Sequence, residues 1–439
     1  MSNETTNEKG ITRALLSGLT GVGALKLGSL ALVTLSSIVV ARSLGPAGYG
    51  QVAFVFAVLN LLAIPTSSAV NPLLIRHVSN YQLAADWSLL RGLLRWTGTN
   101  TTLLAVSIMV PILGWACWNL LSTPTDRAVL FCIAVPFVLF WTWAARVSGV
   151  LQGLRKVVLA QSFDWIINPV IYLVLVVILW SKGALTPITV LLSSLGALVV
   201  SVIAGTITLQ KSIPEQVVGA DIELERKVWL SAWRHFIVIQ VVGVANIQVP
   251  VVLLGIFGTE AQTGLFRVSE NIASLLAISL LVVNAVIAPY ITRLHAIGNM
   301  QELERIARGT ARVALAFTLP AFFIVLFAGE WLLGFLFGES YTSAFPALVI
   351  LLIGQVVNVA CGSVGLLLNM TGHEKISMNA LAMALALNLI LGAVLIPGYG
   401  AVGAAIGASV STIVWNVLLA VRTRKLLGIG AAVFSRKKY

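Results

Sequence analysis

Residues 186–209, TPITVLLSSLGALVVSVIAGTITL, carry no charge and are long enough as an α-helix to cross a hydrocarbon core of about 30 Å. Inside lipid, only helices and closed barrels satisfy every backbone polar group. Similar apolar stretches recur along the 439 residues, so that 58% of the residues are hydrophobic and 10% are charged. The composition therefore predicts a polytopic membrane protein.

We predict an all-α membrane protein of about twelve transmembrane helices. The apolar runs that define them are 14–41, 49–71, 96–118, 128–150, 165–181, 186–209, 236–257, 267–292, 309–334, 344–370, 377–397 and 401–421. The two halves of the chain resemble each other weakly, for example at Gly153 with Lys156 and Gly372 with Lys375. Because each half holds an even number of spans, the pattern favours parallel repeats, two six-helix lobes related by a pseudo-two-fold axis along the membrane normal.

The predicted organisation is an N-terminal lobe (1–210), a cytoplasmic amphipathic linker (211–234) and a C-terminal lobe (235–439) that ends in a basic cytoplasmic tail. A cavity is expected between the lobes, since transporters built from such repeats bind their ligand near the repeat interface. The linker residues that could form one apolar face of a surface helix are Leu224, Val228, Trp229, Ala232 and Trp233. A solvated tether is the alternative for this interval.

Most of the positive charges lie on one side of the predicted membrane topology. Of the 28 Lys and Arg residues, those predicted on the outer side are only Arg42, Arg127, Lys182 and Arg267. The positive-inside rule then places both termini in the cytoplasm. The net charge of +12 is thus no sign of nucleic-acid binding.

Sequence motifs of enzymes are missing. There is no phosphate-binding G-K-S/T loop, no D-x-D metal pair and no G-x-S-x-G elbow, and His373-Glu374 is followed by Ser377 where a zinc helix would need histidine. Cys117, Cys132 and Cys361 lie in apolar runs without a C-x-x-C motif. We predict no catalytic residue, no metal site and no cofactor, which favours transport over catalysis.

Lys26 is the principal candidate for a binding residue. It lies 13 residues after Arg13 and 16 before Arg42, which places it roughly 20–24 Å from either end of the first span. A charge at that depth is costly and usually faces a cavity or a partner. The alternative is that the helix begins later and Lys26 reaches the cytoplasmic interface.

Other candidate cavity residues are polar groups in or near the spans, namely Arg146, Asp164, Gln240, Asn246 and Arg267. Each has a plainer explanation. Arg267 could pair with Glu270, three residues on, and Arg146 could anchor a helix end at the interface. Hydrogen bonds between helices would account for the amides. The cationic candidates together favour an anionic ligand such as phosphate.

Several motifs resemble one family. ARSLGPAGYG at 41–50 is similar to the A-R-x-L-G-P-x-x-Y-G signature of Wzx-type bacterial polysaccharide flippases (O-antigen type). FGESY at 337–341, TGHEK at 371–375 and IPGYG at 396–400 resemble the C-terminal pattern of the same family. The family belongs to the multidrug/oligosaccharidyl-lipid/polysaccharide exporter superfamily, which includes multidrug extruders and the lipid II flippase.

This resemblance implies two lobes of six helices and a central cationic cavity. It implies that an oligosaccharide linked to polyprenyl pyrophosphate is carried by alternating access to the outer leaflet of the bacterial inner membrane, for cell-surface polysaccharide biosynthesis. The family's basic cavity residues map here to Lys26 and Arg267. Partners implied are the lipid-linked oligosaccharide and membrane lipids, and a coupling cation is left open.

Three other functions compete. A multidrug extruder of the same fold would need an acidic pair deep in one lobe, whereas Asp164 and Glu270 lie near span edges. A major-facilitator transporter would carry a G-x-x-x-D-R-x-G-R pattern that residues 76–95 lack. A membrane glycosyltransferase or polysaccharide polymerase would be distinguished by sugar-bond formation in pure protein.

Overall fold

The structure is a computed structural model that describes residues 2–122, 125–430 and 432–433, except the side chains of 2–22 and 285. Within this part the chain is helical and contains no β-strand. The helices are α1 Ser2–Leu62, α2 Val70–Ala84, α3 Trp87–Ser122, α4 Asp126–Ala134, α5 Pro136–Gly153, α6 Val157–Ser162, α7 Asn168–Ser181, α8 Pro187–Gln210, α9 Glu215–Gly219, α10 Arg226–Phe257, α11 Glu260–Leu276, α12 Ile278–Ala296, α13 Met300–Phe337, α14 Phe345–Cys361, α15 Val364–Met370 and α16 Glu374–Leu427. A π-helical segment, Phe163–Ile167, joins α6 to α7, and a 3₁₀ turn, Glu339–Ala344, precedes α14. The predicted basic tail includes Arg436, Lys437 and Lys438, which lie outside the described residues.

Nine helical segments of the described chain are long and apolar enough to cross a membrane. They are Gly23–Leu62, Trp87–Ser122, Asp126–Gly153, Val157–Ser181, Pro187–Gln210, Arg226–Phe257, Met300–Phe337, Glu339–Cys361 and Glu374–Leu427. A tenth arises if Glu260–Leu276 and Ile278–Asn284, which meet at 43°, form one bent span. The chain is thus a multi-pass α-helical membrane protein, as the sequence predicted.

Two of these segments are divided by a glycine. Gly45 in α1 has φ 68° and ψ 175°, and Gly400 in α16 has φ 53° and ψ −127°. Only glycine adopts such angles readily, and at 1.5 Å per residue the 54 residues of α16 would otherwise extend far beyond one bilayer. Counting each arm of α1 and α16 separately would raise ten spans to twelve. The two-lobe arrangement of twelve spans stays a prediction.

The two arms of α16 pack against each other through small residues. A Cβ added at Gly407 on the second arm would lie 3.4 Å from the nitrogen of Gly392 on the first arm. The same Cβ would lie 3.4 Å from Oδ1 of Asn388. The kink at Gly400 therefore turns α16 into a helical hairpin whose glycines permit close backbone approach.

The predicted span 49–71 is wrong at its C-terminal end, because α1 ends at Leu62 and a bend over 63–69 precedes α2. Pro65 has no N–H to continue the helix, and the hydroxyl of Ser67 donates to the carbonyl of Ala63 at 2.7 Å. A neighbouring helix satisfies the carbonyls that the bend releases. Nε1 of Trp233 donates to Pro65 O and Nε2 of Gln240 to Ser68 O, both at 2.8 Å. Broken helices persist at membrane depth where neighbours supply such partners.

The chain divides into two compact units. Unit 1 is Met1–Ser43 with Val58–Val241, and unit 2 is Leu44–Ala57 with Val242–Tyr439. The second arm of α1 is thus grouped with the C-terminal helices, and the predicted linker interval is grouped with the N-terminal ones. The predicted boundaries 1–210, 211–234 and 235–439 stay a prediction.

Only some residues of the predicted apolar face of the linker are buried. Trp229 is fully buried and Trp233 nearly so, and Trp229 packs on Trp96 of α3 with ring centroids 5.6 Å apart. Leu224 and Val228 are 41% and 50% exposed. Leu224 precedes the start of α10, and Val228 is one position from Trp229, about 100° around the helix. Within the predicted apolar face, Trp229 and Trp233 are the side chains that are buried against unit 1, and Val217 earlier in the interval joins the same cluster.

Hydrogen bonds reinforce that attachment. The backbone N–H of Glu223 donates to Ser88 O at 3.3 Å. The hydroxyl of Tyr81 donates to Oε2 of Glu225 at 2.9 Å and accepts from Nε1 of Trp229 at 2.8 Å. Burial raises the pKa of Tyr81 to about 12, so this hydroxyl keeps the proton that it donates. The interval between α8 and α10 is packed onto unit 1 and is not a free tether.

Candidate functional site

Lys26 lies on the face of an aromatic ring in unit 1. Its Nζ is 4.7 Å from the centroid of Trp165, a cation–π distance. Trp165 belongs to the π-helical segment, where the N–H of Asn168 donates to Phe163 O, five residues back. The cause is Pro169, because it lacks the N–H that would bond the carbonyl of Trp165 in an α-helix. Short π-helical segments of this kind are frequent at functional sites.

Asp164 is the acidic group of the same segment. The hydroxyl of Ser148 donates to its carboxyl, and Nε2 of Gln152 donates to Oγ of Ser148 at 3.0 Å. The hydroxyl of Ser201 donates to the carbonyl of Phe163 at 2.9 Å. Across the described residues no salt bridge reaches Asp164. Lys26 and Asp164 thus flank one distorted turn without forming an ion pair.

Arg146 lies in the wall of a cavity of about 430 Å³ in unit 1. The wall is mainly apolar, and among its members are Leu94, Phe140, Trp143, Val202, Thr206 and Gln210. Nη2 of Arg146 is 3.4 Å from the carbonyl oxygen of Leu94, a weak hydrogen bond. The guanidinium lies over Gly98, where a Cβ would come within 2.7 Å of Nη2. A glycine on α3 thus makes the space that this cation occupies.

The charge of Arg146 has no counter-ion. Among the residues that the structure describes, no carboxylate forms a salt bridge with it. A half-buried charge without a salt bridge is unfavourable inside a membrane, and intramembrane cations usually mark a ligand or ion site. The cavity therefore offers an apolar wall and one cation that lacks an anion.

Arg267 in unit 2 is already paired. Its Nη1 is 2.8 Å from Oε2 of Glu270 on the next turn of α11. Nearby, Nδ2 of Asn271 donates to the hydroxyl of Tyr49 at 3.1 Å. This geometry matches the plainer sequence interpretation of the Arg267–Glu270 spacing, and it leaves Arg267 with less unneutralised charge than Arg146.

A second cavity, of about 290 Å³, lies in unit 2 between α10, α11, α14 and α16. Asn246 is on its wall, and its Nδ2 donates to the carbonyls of Val242 and Leu381 at 2.9 and 3.1 Å. Polar side chains that share this wall are Glu270, Gln355, Asn388, Ser411, Thr412 and Trp415. Ser411, Thr412 and Trp415 were missed by the sequence analysis, although the spacing of Ser411 and Trp415 places them on one helix face.

The candidate residues fall into separate groups. Lys26, Arg146, Asp164 and Gln240 belong to unit 1, whereas Asn246 and Arg267 belong to unit 2. Gln240 is used to satisfy the bend after α1. In the described chain, no cluster of three His, Cys, Asp or Glu side chains could hold a metal ion, and the three cysteines are free.

Comparison with known proteins identifies the family. Residues 19–295, more than half of the chain, match the model of the polysaccharide biosynthesis protein family. The chain therefore belongs to that family. A region of 168 residues is 26% identical to the probable low-salt glycan biosynthesis flippase Agl15 of Haloferax volcanii. That region covers 38% of this chain and 36% of the relative.

Solved structures share the fold at low identity. An inward-facing multidrug resistance MATE family transporter superposes with a TM-score of 0.76 at 14% identity, over 92% of this chain and 98% of that one. The lipid II flippase MurJ, in an inward closed conformation, gives 0.73 at 14% identity, over 91% and 87%. The resemblance to the polysaccharide flippases is thus confirmed. The relatives found by these comparisons are flippases and transporters, and this chain shares their fold.

Proposed function

We propose that this protein moves an oligosaccharide linked to polyprenyl pyrophosphate from the inner to the outer leaflet by alternating access, for cell-surface polysaccharide biosynthesis. Family membership and a relative named as a glycan biosynthesis flippase support this proposal. The observation that carries it is the guanidinium of Arg146, which lies in an apolar cavity and forms no salt bridge with any described residue. A lipid with a phosphorylated headgroup complements such a cavity, because its apolar chain fits the wall and its phosphate supplies an anion for Arg146.

The chemistry of that match is specific. A guanidinium presents donors in a planar fork that fits phosphate oxygens, and charge-assisted hydrogen bonds are about twice as strong as neutral ones. Apolar walls with a few placed polar groups are typical of sites that bury most of a ligand. An isoprenoid chain against the wall and a phosphate on Arg146 would satisfy the cavity and neutralise its charge.

Multidrug extrusion is the second candidate function, and Asp164 favours it. Asp164 lies in the π-helical segment and forms no salt bridge with any described residue, so its carboxyl is a group that an organic cation would bind. Purified protein in vesicles is expected to move a fluorescent lipid-linked oligosaccharide across the bilayer, measured by its accessibility to an added lectin, and to leave ethidium unmoved. Protein-free vesicles are the control. Ethidium transport without glycolipid transport would replace the first function by the second.

A separate experiment tests the proposed orientation. The protein is proposed to lie in a bacterial plasma membrane with both termini in the cytoplasm. Leu121 is exposed near the end of α3 and lies in the second loop that is predicted on the outer side. Alkaline phosphatase fused after Leu121 is expected to be active, because that position is predicted to be outside. The same reporter fused after Arg155 is the matched control and is expected to be inactive. An inactive fusion at Leu121 with an active one at Arg155 would invert the topology.

A further inference from the structure

The polar cavity of unit 2 is open to the surface of that unit. At its rim Ser274 is exposed and Ile247 is 56% exposed. Its volume of about 290 Å³ is close to the lower limit of small-molecule pockets, roughly 300 Å³. The space is therefore reachable and large enough for one small polar unit.

Three buried polar atoms in its wall have no hydrogen-bond partner among the described residues. They are Oδ1 of Asn388, Oγ of Ser411 and Nε1 of Trp415. Asn388 and Ser411 are each only 2% exposed. Buried polar groups are almost always paired in folded proteins, since leaving one unpaired costs about 1–3 kcal/mol. An acceptor, a hydroxyl and a donor are thus unpaired on the wall of one cavity.

Neighbouring polar groups are already used. Nδ2 of Asn388 donates weakly to Asn246 O at 3.4 Å, and the hydroxyl of Ser409 donates to Ile350 O at 2.8 Å. Oε1 of Gln355 accepts from Nδ2 of Asn358 at 3.1 Å. The first two bonds join α16 to α10 and to α14, and the third lies within α14, whereas the three unpaired atoms remain available for a ligand.

The chemistry of the wall disfavours metal cations and apolar molecules as ligands. Glu270, the acidic side chain of the wall, is bonded to Arg267, which leaves the cavity close to neutral. A metal cation would lack the cluster of acidic or imidazole ligands that binding requires, at least in the described chain. An apolar ligand would leave all three polar atoms unpaired. A neutral ligand with alternating donors and acceptors fits best, and hydroxyl groups supply both roles.

We propose that this cavity binds a single pyranose residue of the transported glycan. The inference rests on the proposed function and assigns the sugar to unit 2, apart from the phosphate-binding cation of unit 1. With these three side chains turned toward the ligand, ring hydroxyls would donate to Oδ1 of Asn388, exchange hydrogen bonds with Ser411 and accept from the indole N–H of Trp415. The indole ring also gives the wall an apolar surface against which a pyranose can pack.

The test is the double variant Ser411→Ala/Trp415→Phe, which removes two of the three unpaired atoms. Affinity is measured for radiolabelled lipid-linked oligosaccharide from the source cells and for bare polyprenyl pyrophosphate. We expect affinity for the glycolipid to fall at least about tenfold, as the loss of two ligand hydrogen bonds implies, and affinity for the bare lipid to stay unchanged. The melting temperature should fall only slightly, because the two polar atoms removed have no hydrogen-bond partner among the described residues and the smaller ring at 415 keeps most of the packing of the indole.

The control Ser193→Ala/Trp331→Phe makes the same changes at a buried serine of α8 and an exposed tryptophan of α13, and should bind both lipids like the wild type. Unchanged glycolipid affinity in the first variant, or an equal loss for both lipids, would overturn the sugar site alone. Sodium ions that raise the melting temperature of the wild type but not of the variant would show a cation site and overturn it as well. A wild type that binds neither lipid would contradict the proposed function itself.

Discussion

Gly50→Ala is expected to leave little folded protein. The second arm of α1 crosses α11 within unit 2 at a pair of glycines, and a Cβ at Gly50 would overlap the carbonyl of Glu260 and lie 2.8 Å from the nitrogen of Gly264. On the other helix, a Cβ at Gly264 would overlap the carbonyl of Pro46. These are backbone atoms, so the helices themselves would have to separate. We expect a loss of at least about 4 kcal/mol, the upper range for one substitution.

Thermal unfolding and gel filtration in detergent measure this effect. Gly243→Ala is the matched control, because Gly243 is also helical and belongs to unit 2, yet has no heavy atom within 4 Å of an added Cβ. That variant should be neutral or more stable by up to about 1 kcal/mol from helix propensity. Equal melting temperatures for Gly50→Ala and Gly243→Ala would show that the close crossing does not exist.

Arg146→Leu is expected to reduce glycolipid transport in vesicles at least about tenfold, since charge-assisted hydrogen bonds contribute roughly 1.5–3 kcal/mol each. The same change removes a half-buried charge that forms no salt bridge with any described residue, so the melting temperature should hold or rise. Transport and stability therefore move independently. Arg146→Lys should keep part of the activity, because it retains the charge but not the planar fork.

Arg305→Leu is the control for the loss of one positive charge. Arg305 is 82% exposed and forms a long ion pair of 3.7 Å with Glu302, so its replacement should change neither transport nor stability. Full transport by Arg146→Leu would remove the cation from the mechanism. A large fall in its melting temperature would instead make Arg146 a structural residue.

The membrane fold could be predicted from local properties of the chain. Apolar runs of bilayer length predicted the spans, and the breaks between the runs near 45 and 400 predicted where the chain turns. The bend after α1 was missed because no charged residue interrupts 63–69, although Pro65 and Ser67 carry the signal. The π-helical segment was missed because Pro169 acts on a carbonyl four residues earlier, which composition does not reveal.

The candidate site was less predictable because it depends on packing between distant elements. The depth of Lys26 was apparent from spacing, but the ring of Trp165 beneath it was not. A cation that already has a counter-ion is less available to an anionic ligand, and sequence spacing suggested such a pair only for Arg267. Asn388 and Trp415 share a wall only because α16 folds back at Gly400, so neither residue is informative alone.

That fold at Gly400 couples binding to helix shape. Asn388 lies on the first arm of α16, and Ser411 and Trp415 lie on the second. A ligand that bonds to both arms must favour the bent helix over any straighter one, by as much as its affinities for the two shapes differ. The dependence is reciprocal, so whatever holds the bend tightens the ligand. In the proposed sugar site, the kink at Gly400 thus lets one helix bind the ligand with both arms and change its shape when the ligand binds or leaves.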